Sequence, residues 1–125
     1  TFSQRKSSGQ TAVPDPMHVI HPSVRPIEGE VVVGKHRVNA LYGTGLDVAL
    51  RANDIHDLVI LGYATSGVVL STVRYGADLD YNLIVVEDCC SDSDVDVHEF
   101  LIQRIFPRQS EVVSSDDVIK ALGAM

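Results

Sequence analysis

The sequence predicts an α/β fold with a mainly parallel sheet, and three observations carry that expectation. Two short apolar runs, residues 58–61 and 83–86, have no polar face, as in strands covered by helices on both sides of a sheet. Stretches with apolar residues at helical spacing separate and follow them. Helix-start signals recur soon after the runs, so strand and helix alternate along the chain, the order that right-handed crossovers turn into a parallel sheet.

Taken in order, residues 1–26 are polar and broken by Pro14, Pro16, Pro22 and Pro26. That composition disfavours helix interiors and central strands and reads as an extended surface segment. Residues 27–125 are expected to form the domain. Its first strand is read at residues 30–33, Glu-Val-Val-Val. Thr44 followed by Asp47 has the spacing of a capping box, and Leu46, Ala49 and Leu50 give the next helix an apolar face to about residue 53. The run 58–61 is expected to be a central strand. Thr65 and Ser66 can start a helix whose Val69, Val73 and Ala77 recur every four residues until Asp80, Tyr81 and Asn82 end it. Residues 83–86 make a third buried strand. Asp94 can cap a helix with Val97, Leu101 and Ile105 on one face, stopped by Pro107. Residues 111–113 make a fourth strand, and Ser114 with Asp117 repeats the capping-box spacing before a closing helix through Leu122.

Composition narrows the function. At 125 residues and 45% hydrophobic, the chain can bury one modest core. A formal charge of −7, with ten Lys and Arg scattered along the chain, repels phosphate backbones and argues against a nucleic-acid partner. The apolar runs are far shorter than a membrane span and no basic-then-apolar leader opens the sequence, so the expectation is a cytoplasmic protein without a membrane partner. Cys89 and Cys90 are adjacent, cannot close a useful loop together and are expected as reduced thiols. His18, His21 and His36 share no face, and His56 follows a helix end. His98, four residues after Asp94, reads as a surface or capping residue. The acidic run 91–96 lacks the glycine and terminal glutamate of a calcium loop and reads as a helix entrance. Gly43-Thr44-Gly45 lacks the third glycine of a dinucleotide loop, Val48 standing in its place. No metal and no cofactor are expected.

In open α/β sheets ligands bind beyond the carboxyl ends of strands, which directs attention to residues 34–35, 62–67 and 87–92. The second of these leaves a strand and enters a helix, where backbone N–H groups can hold an oxyanion or carboxylate.

It is this stretch, Gly62-Tyr63-Ala64-Thr65-Ser66-Gly67-Val68-Val69, that resembles the isochorismatase-like (cysteine hydrolase) family, whose members carry Gly-x-Ala-Thr, two variable residues and then usually Cys-Val. Upstream, Glu30 to Arg37, Leu41-Tyr42-Gly43-Thr44, Leu46-Asp47 and Leu50-Arg51 are similar to the family's strand, lysine and following helix. Downstream, Asp88-Cys89-Cys90-Ser91-Asp92 and His98 follow its next strand and helix. The resemblance covers about residues 22–122 and corresponds to the carboxy-terminal two-thirds of the domain.

The resemblance implies a three-layer, Rossmann-like fold whose first strand or strands are missing from this chain, and a tendency to form homo-oligomers. Family members work with an aspartate, a lysine and a cysteine nucleophile. Lys35 matches the lysine. The backbone N–H groups of Ala64 and Val68 match the oxyanion hole, the Tyr63–Ala64 bond matches a cis peptide, and Thr65 is expected to line the substrate pocket. Tyr42, beside the lysine loop, is read either as a pocket residue or as core packing. Val68 stands at the nucleophile's position, and an isopropyl group cannot attack a carbonyl. The family aspartate closes an apolar strand, and nothing before Glu30 has that pattern; Asp15 sits between prolines. A cysteine-free site fits the branch that cleaves a vinyl ether, a reaction needing a carboxylic acid and water. The expected function is hydrolysis of a small molecule, a vinyl ether, amide or related carboxylate, without a cysteine nucleophile, with the aspartate supplied by the full-length protein. The alternative is an inactive relative that binds a small molecule or a protein partner.

Overall fold

The computed structural model describes residues 20–125. Asp15, His18 and most of the segment expected to be extended lie outside the described residues. The chain forms two compact units, Thr1–Gly34 and Lys35–Met125. In the described part of the first, a 3₁₀ turn spans Pro22–Val24, with proline at its start, where the missing N–H costs nothing. The His21 ring accepts a hydrogen bond from the Ser23 N–H at 3.1 Å. A reverse turn follows, closed by the Glu30 N–H on the Ile27 carbonyl at 3.1 Å and by the Ile27 N–H on the Glu30 carboxylate at 3.0 Å. Residues 30–33 do not form the expected strand. Glu30 is used in the turn, and Val31 and Val32 are exposed. Local apolar sequence permits a strand, but only pairing to a neighbour makes one, and these residues join no ladder of the described sheet.

In the second unit the elements run α1 (Leu46–Ala52), β1 (Asp57–Tyr63), a π-type turn (Thr65–Val69) continuing into α2 (Leu70–Asp78), β2 (Asn82–Ser91), α3 (Val95–Phe100), β3 (Glu111–Val113) and α4 (Ser115–Gly123). A second π-type turn, Leu101–Ile105, and a 3₁₀ turn at Phe106–Arg108 carry the chain from α3 to β3. No helix among the described residues is long and apolar enough to cross a membrane.

The capping signals resolve unevenly. Asp94 accepts from the Val97 N–H at the start of α3, and Ser114 and Asp117 form the reciprocal box that opens α4. The box expected from Thr44 and Asp47 does not form, and Gly45 is the N-cap of α1. The Thr44 hydroxyl instead donates back to the Ala40 carbonyl at 2.8 Å, and the Asp47 carboxylate accepts from the Tyr81 hydroxyl at 2.7 Å. Arg51 Nε donates to the same carboxylate at 3.1 Å within α1, and the Arg51 guanidinium also donates to the Leu79 carbonyl at 2.9 Å, which with the Tyr81 bond ties α1 to the loop before β2.

The sheet is wholly parallel, in the order β1-β2-β3. The central strand of the described sheet is therefore β2. The run 58–61, expected to be central in the family fold and to expose an apolar edge where the first strand is missing, lies in the edge strand β1. Leu83, Val85 and Val86 of β2 are buried, whereas β1 buries Leu58 and Ile60 partly and leaves Val59, Leu61 and Tyr63 47%, 58% and 67% exposed. On the buried side, Val69 and Val73 pack with Leu83 and Val85, and with Leu101, Ile102 and Phe106 from beyond α3. The loop before α1 is tied to α2 by Asn39, whose side chain accepts from the Leu41 and Tyr42 N–H groups and donates to the Ser71 carbonyl.

The β1–β2 register breaks near the carboxyl ends. Ile60 pairs with Val85 but Gly62 pairs with Cys90, so a bulge in β2 brings Cys90 to Ser91 level with Gly62 and Tyr63. Gly62 has φ +142°, a conformation that side chains disfavour, which is why glycine stands there.

Candidate active site

The bulge places two chain segments side by side. From β1, the Tyr63–Ala64 peptide is cis and the turn Thr65–Val69 follows at once. The Ala64 carbonyl accepts from the Gly67 N–H at 3.0 Å and the Val69 N–H at 3.3 Å, which curls the turn back toward the strand end. From β2, Cys90, Ser91 and Asp92 run past the turn, and with Val95 and His98 of α3 they line an open cleft of about 190 Å³.

Two side chains from the β2–α3 side grip the turn. Asp92 Oδ2 accepts from the Ser66 N–H at 2.7 Å and the Ser66 hydroxyl at 2.6 Å, while its Oδ1 accepts from the Asp94 N–H at 3.1 Å. The Ser66 hydroxyl, then the Ser66 and Asp94 backbone N–H groups, hold the Asp92 carboxyl down to about 2, so it is ionised at neutral pH. The carboxylate thus satisfies a donor at the start of the turn, as a cap would, from 26 residues away. The second grip is His98, whose Nδ1 lies 2.7 Å from the Thr65 hydroxyl. Thr65 is fully buried and His98 is half-buried at the cleft wall. Both partners of the turn belong to the downstream stretch that carries the family resemblance, Asp92 read also as part of a helix entrance and His98 as a surface or capping residue, but neither was expected to hold the turn.

The residues expected at the site fall in three places. Tyr63 ends β1, Ala64 caps the turn, and Thr65 and Val68 lie within it, with Val68 half-buried against the core. Lys35 is exposed, and its ammonium donates to the Arg37 carbonyl at 2.7 Å; among the described residues no hydrogen bond or ion pair joins it to the turn. Tyr42 is exposed and its ring meets Tyr75 of α2 edge-on at 6.2 Å. Of the two thiols, Cys89 is exposed and Cys90 is buried. Burial pushes the Cys90 thiol up, against the smaller opposing effect of the Gly62 backbone. A raised thiol has less of the thiolate that attacks carbonyls. No three His, Cys, Asp or Glu among the described residues converge as a metal site.

Comparison with known proteins agrees with this geometry. The isochorismatase domain family matches residues 1–117. The chain is 33% identical over 103 residues to the uncharacterized isochorismatase family protein YecD of Escherichia coli O157:H7, covering 82% of this chain and 55% of that one. It is 29% identical to maleamate amidohydrolase of Pseudomonas putida, covering 86% of this chain and 51% of that one. Among solved structures, an isochorismatase family protein of Burkholderia thailandensis superposes with a TM-score of 0.79 at 39% identity, over 82% of this chain and 54% of the other. The chain spans about half the length of the curated relatives it matches. Its parallel α/β sheet, its ordered motifs and the extent of the match lead to one conclusion: this chain belongs to the isochorismatase family.

Proposed function

We propose that this chain carries part of the site of a hydrolase that acts on a small molecule, a vinyl ether, an amide or a related carboxylate, without a cysteine nucleophile. The observation that supports the reading is Val68. It sits in the turn after β1 where the family resemblance places the nucleophile, and it packs toward the core. An isopropyl group forms no thioester, and burial pushes the thiol of Cys90, which lines the cleft, up and away from the thiolate that attacks carbonyls.

The chemistry left is proton transfer and addition of water. A vinyl ether is cleaved when a carboxylic acid protonates its enol carbon, water adds to the oxocarbenium ion that results and returns a proton to the carboxylate, and the hemiketal so formed breaks its ether C–O bond to release an alcohol and a carbonyl compound. In that reaction Lys35 supplies positive charge beside the carboxyl group or the developing negative charge, and backbone N–H groups of Ala64 and Val68 hold an oxygen of the substrate. Asp92 is no candidate for the acid, since three hydrogen bonds keep it ionised. The acid is an aspartate of the whole protein, outside the described residues. The amide alternative rests on the similarity to maleamate amidohydrolase.

The test is turnover of a vinyl ether carboxylate and of maleamate by the whole protein and its Lys35→Ala variant. Cleavage of either substrate, lowered at least a hundredfold in the variant, is expected from loss of a charge acting at the reacting centre, about 2.7 kcal/mol or more. Unchanged turnover in Lys35→Ala removes the lysine from the mechanism. Binding of both compounds without cleavage of either assigns the protein to the alternative reading, a relative that binds without reacting.

A further inference from the structure

We propose that Thr65 fixes the tautomer of His98, so that the ring presents Nε2–H to the cleft as a hydrogen-bond donor for an oxygen atom of the ligand. The choice of an amide or carboxylate oxygen as acceptor rests on the function proposed above; the tautomer rests on geometry alone.

The Thr65 side chain is completely buried, and its hydroxyl lies 2.7 Å from His98 Nδ1, the partner found for it among the described residues. A buried hydroxyl proton needs an acceptor. If Nδ1 carried the ring proton and donated it to Thr65, the fully buried hydroxyl would keep a proton with no acceptor among the described residues. With Nδ1 as acceptor, both groups are satisfied by one bond. A neutral imidazole carries one proton, so acceptance at Nδ1 puts that proton on Nε2. Thr65 is then a positioning residue that acts through His98.

The cleft has few such donors. Of its other lining groups, Asp92 has both oxygens engaged with Ser66 and Asp94, Val95 is apolar, the Cys90 thiol is a weak donor, and the exposed Ser91 hydroxyl rotates and can donate or accept. The ionised Asp92 disfavours a second carboxylate placed against it. Nε2–H therefore gives the cleft a donor of fixed direction beside the rotatable Ser91 hydroxyl, to a single oxygen of a molecule small enough for about 190 Å³.

The experiment is long-range ¹H–¹⁵N correlation spectroscopy of the full chain, with His98 identified by the signals lost in His98→Gln. The expected pattern has the proton on Nε2 and a lone pair on Nδ1, kept in Thr65→Ser and replaced by a mixture of tautomers in Thr65→Val. Maleamate, added as the probe, is expected to shift the Nε2–H signals and to bind about tenfold more weakly to His98→Phe, the loss of one hydrogen bond. A proton on Nδ1, a mixture in the unaltered chain, or a Thr65→Val pattern identical to it overturns the proposal. So does maleamate that leaves Nε2–H unmoved. Maleamate that moves Nε2–H without being cleaved counts against the hydrolysis proposed above and leaves this assignment standing, whereas cleavage with Nε2–H unmoved does the reverse.

Discussion

Two segments of this chain resemble the motifs of one family, yet they are held in different ways. The turn Thr65–Val69 is gripped from three directions: by the core through Val69, by His98 through Thr65, and by Asp92 through Ser66. The segment around Lys35 is exposed, and the lysine's hydrogen bond goes to a carbonyl two residues along. The difference teaches that resemblance to a motif does not by itself fix a side chain's place. The turn is a frame whose geometry the fold enforces, whereas Lys35, proposed as the site's charge, is an exposed side chain bonded to its own loop.

The largest expected effect comes from removing the floor beneath the turn. Phe106 is fully buried against Val69 and its neighbours, and Phe106→Ala is expected to cost about 3–5 kcal/mol, read as a fall in the urea midpoint. A loss below 1 kcal/mol would mean the turn does not depend on this core. Next is the buried hydrogen bond. Thr65→Val is expected to destabilise the chain by about 1–3 kcal/mol, since it leaves His98 Nδ1 without its donor, and Thr65→Ser by clearly less. Equal losses in the two variants would assign the effect to packing of the threonine methyl.

The grip of Asp92 has a pH signature. Its folded value, about 2, lies below the ordinary 3.8, so its contribution is fully present above the ordinary value and is lost as pH falls from about 4 toward 2. Asp88 and Asp117 are also lowered, each mainly by a serine hydroxyl, and they produce a slope of the same sign. The informative quantity is therefore a difference. Asp92→Asn is expected to be less stable than the parent at neutral pH, by a margin that shrinks over that acid window. A margin independent of pH would contradict the assignment. The smallest effect is on the other side of the comparison: Lys35→Ala is expected to change stability by no more than about 0.5 kcal/mol, because the exposed side chain supports no packing. A loss above 1 kcal/mol by the same urea titration would show that the lysine is part of the frame.

What the sequence disclosed depended on how local the signal was. Ser114 and Asp117 are three residues apart and form their capping box, and Asp94 caps α3 as its position suggests. Val69 and Val73 lie on the buried face of the helical stretch that begins with the turn. Thr44 and Asp47 have the same spacing, yet Tyr81 and Arg51 compete for the aspartate and Gly45 takes the cap. Residues 30–33 have the composition of a strand and lack the partner that makes one. Residues 58–61 carry a central-strand pattern at the edge of the described sheet, since a run of apolar residues records what can be buried and not how many neighbours are present. The turn itself was legible, through the resemblance. The same resemblance includes Asp92 and His98, but that they hold the turn was not legible, because Thr65 and His98 are 33 residues apart and Ser66 and Asp92 are 26, and no periodicity links residues at those distances.

The central claim is that this family member works without a thiol at the reacting centre, and alkylation tests it most directly. The whole protein, treated with iodoacetamide and assayed on a vinyl ether carboxylate and on maleamate, should turn over its substrate at the rate of the untreated protein. Loss of turnover on alkylation, prevented by changing Cys89 and Cys90 to serine, would contradict the claim and place a cysteine in the mechanism.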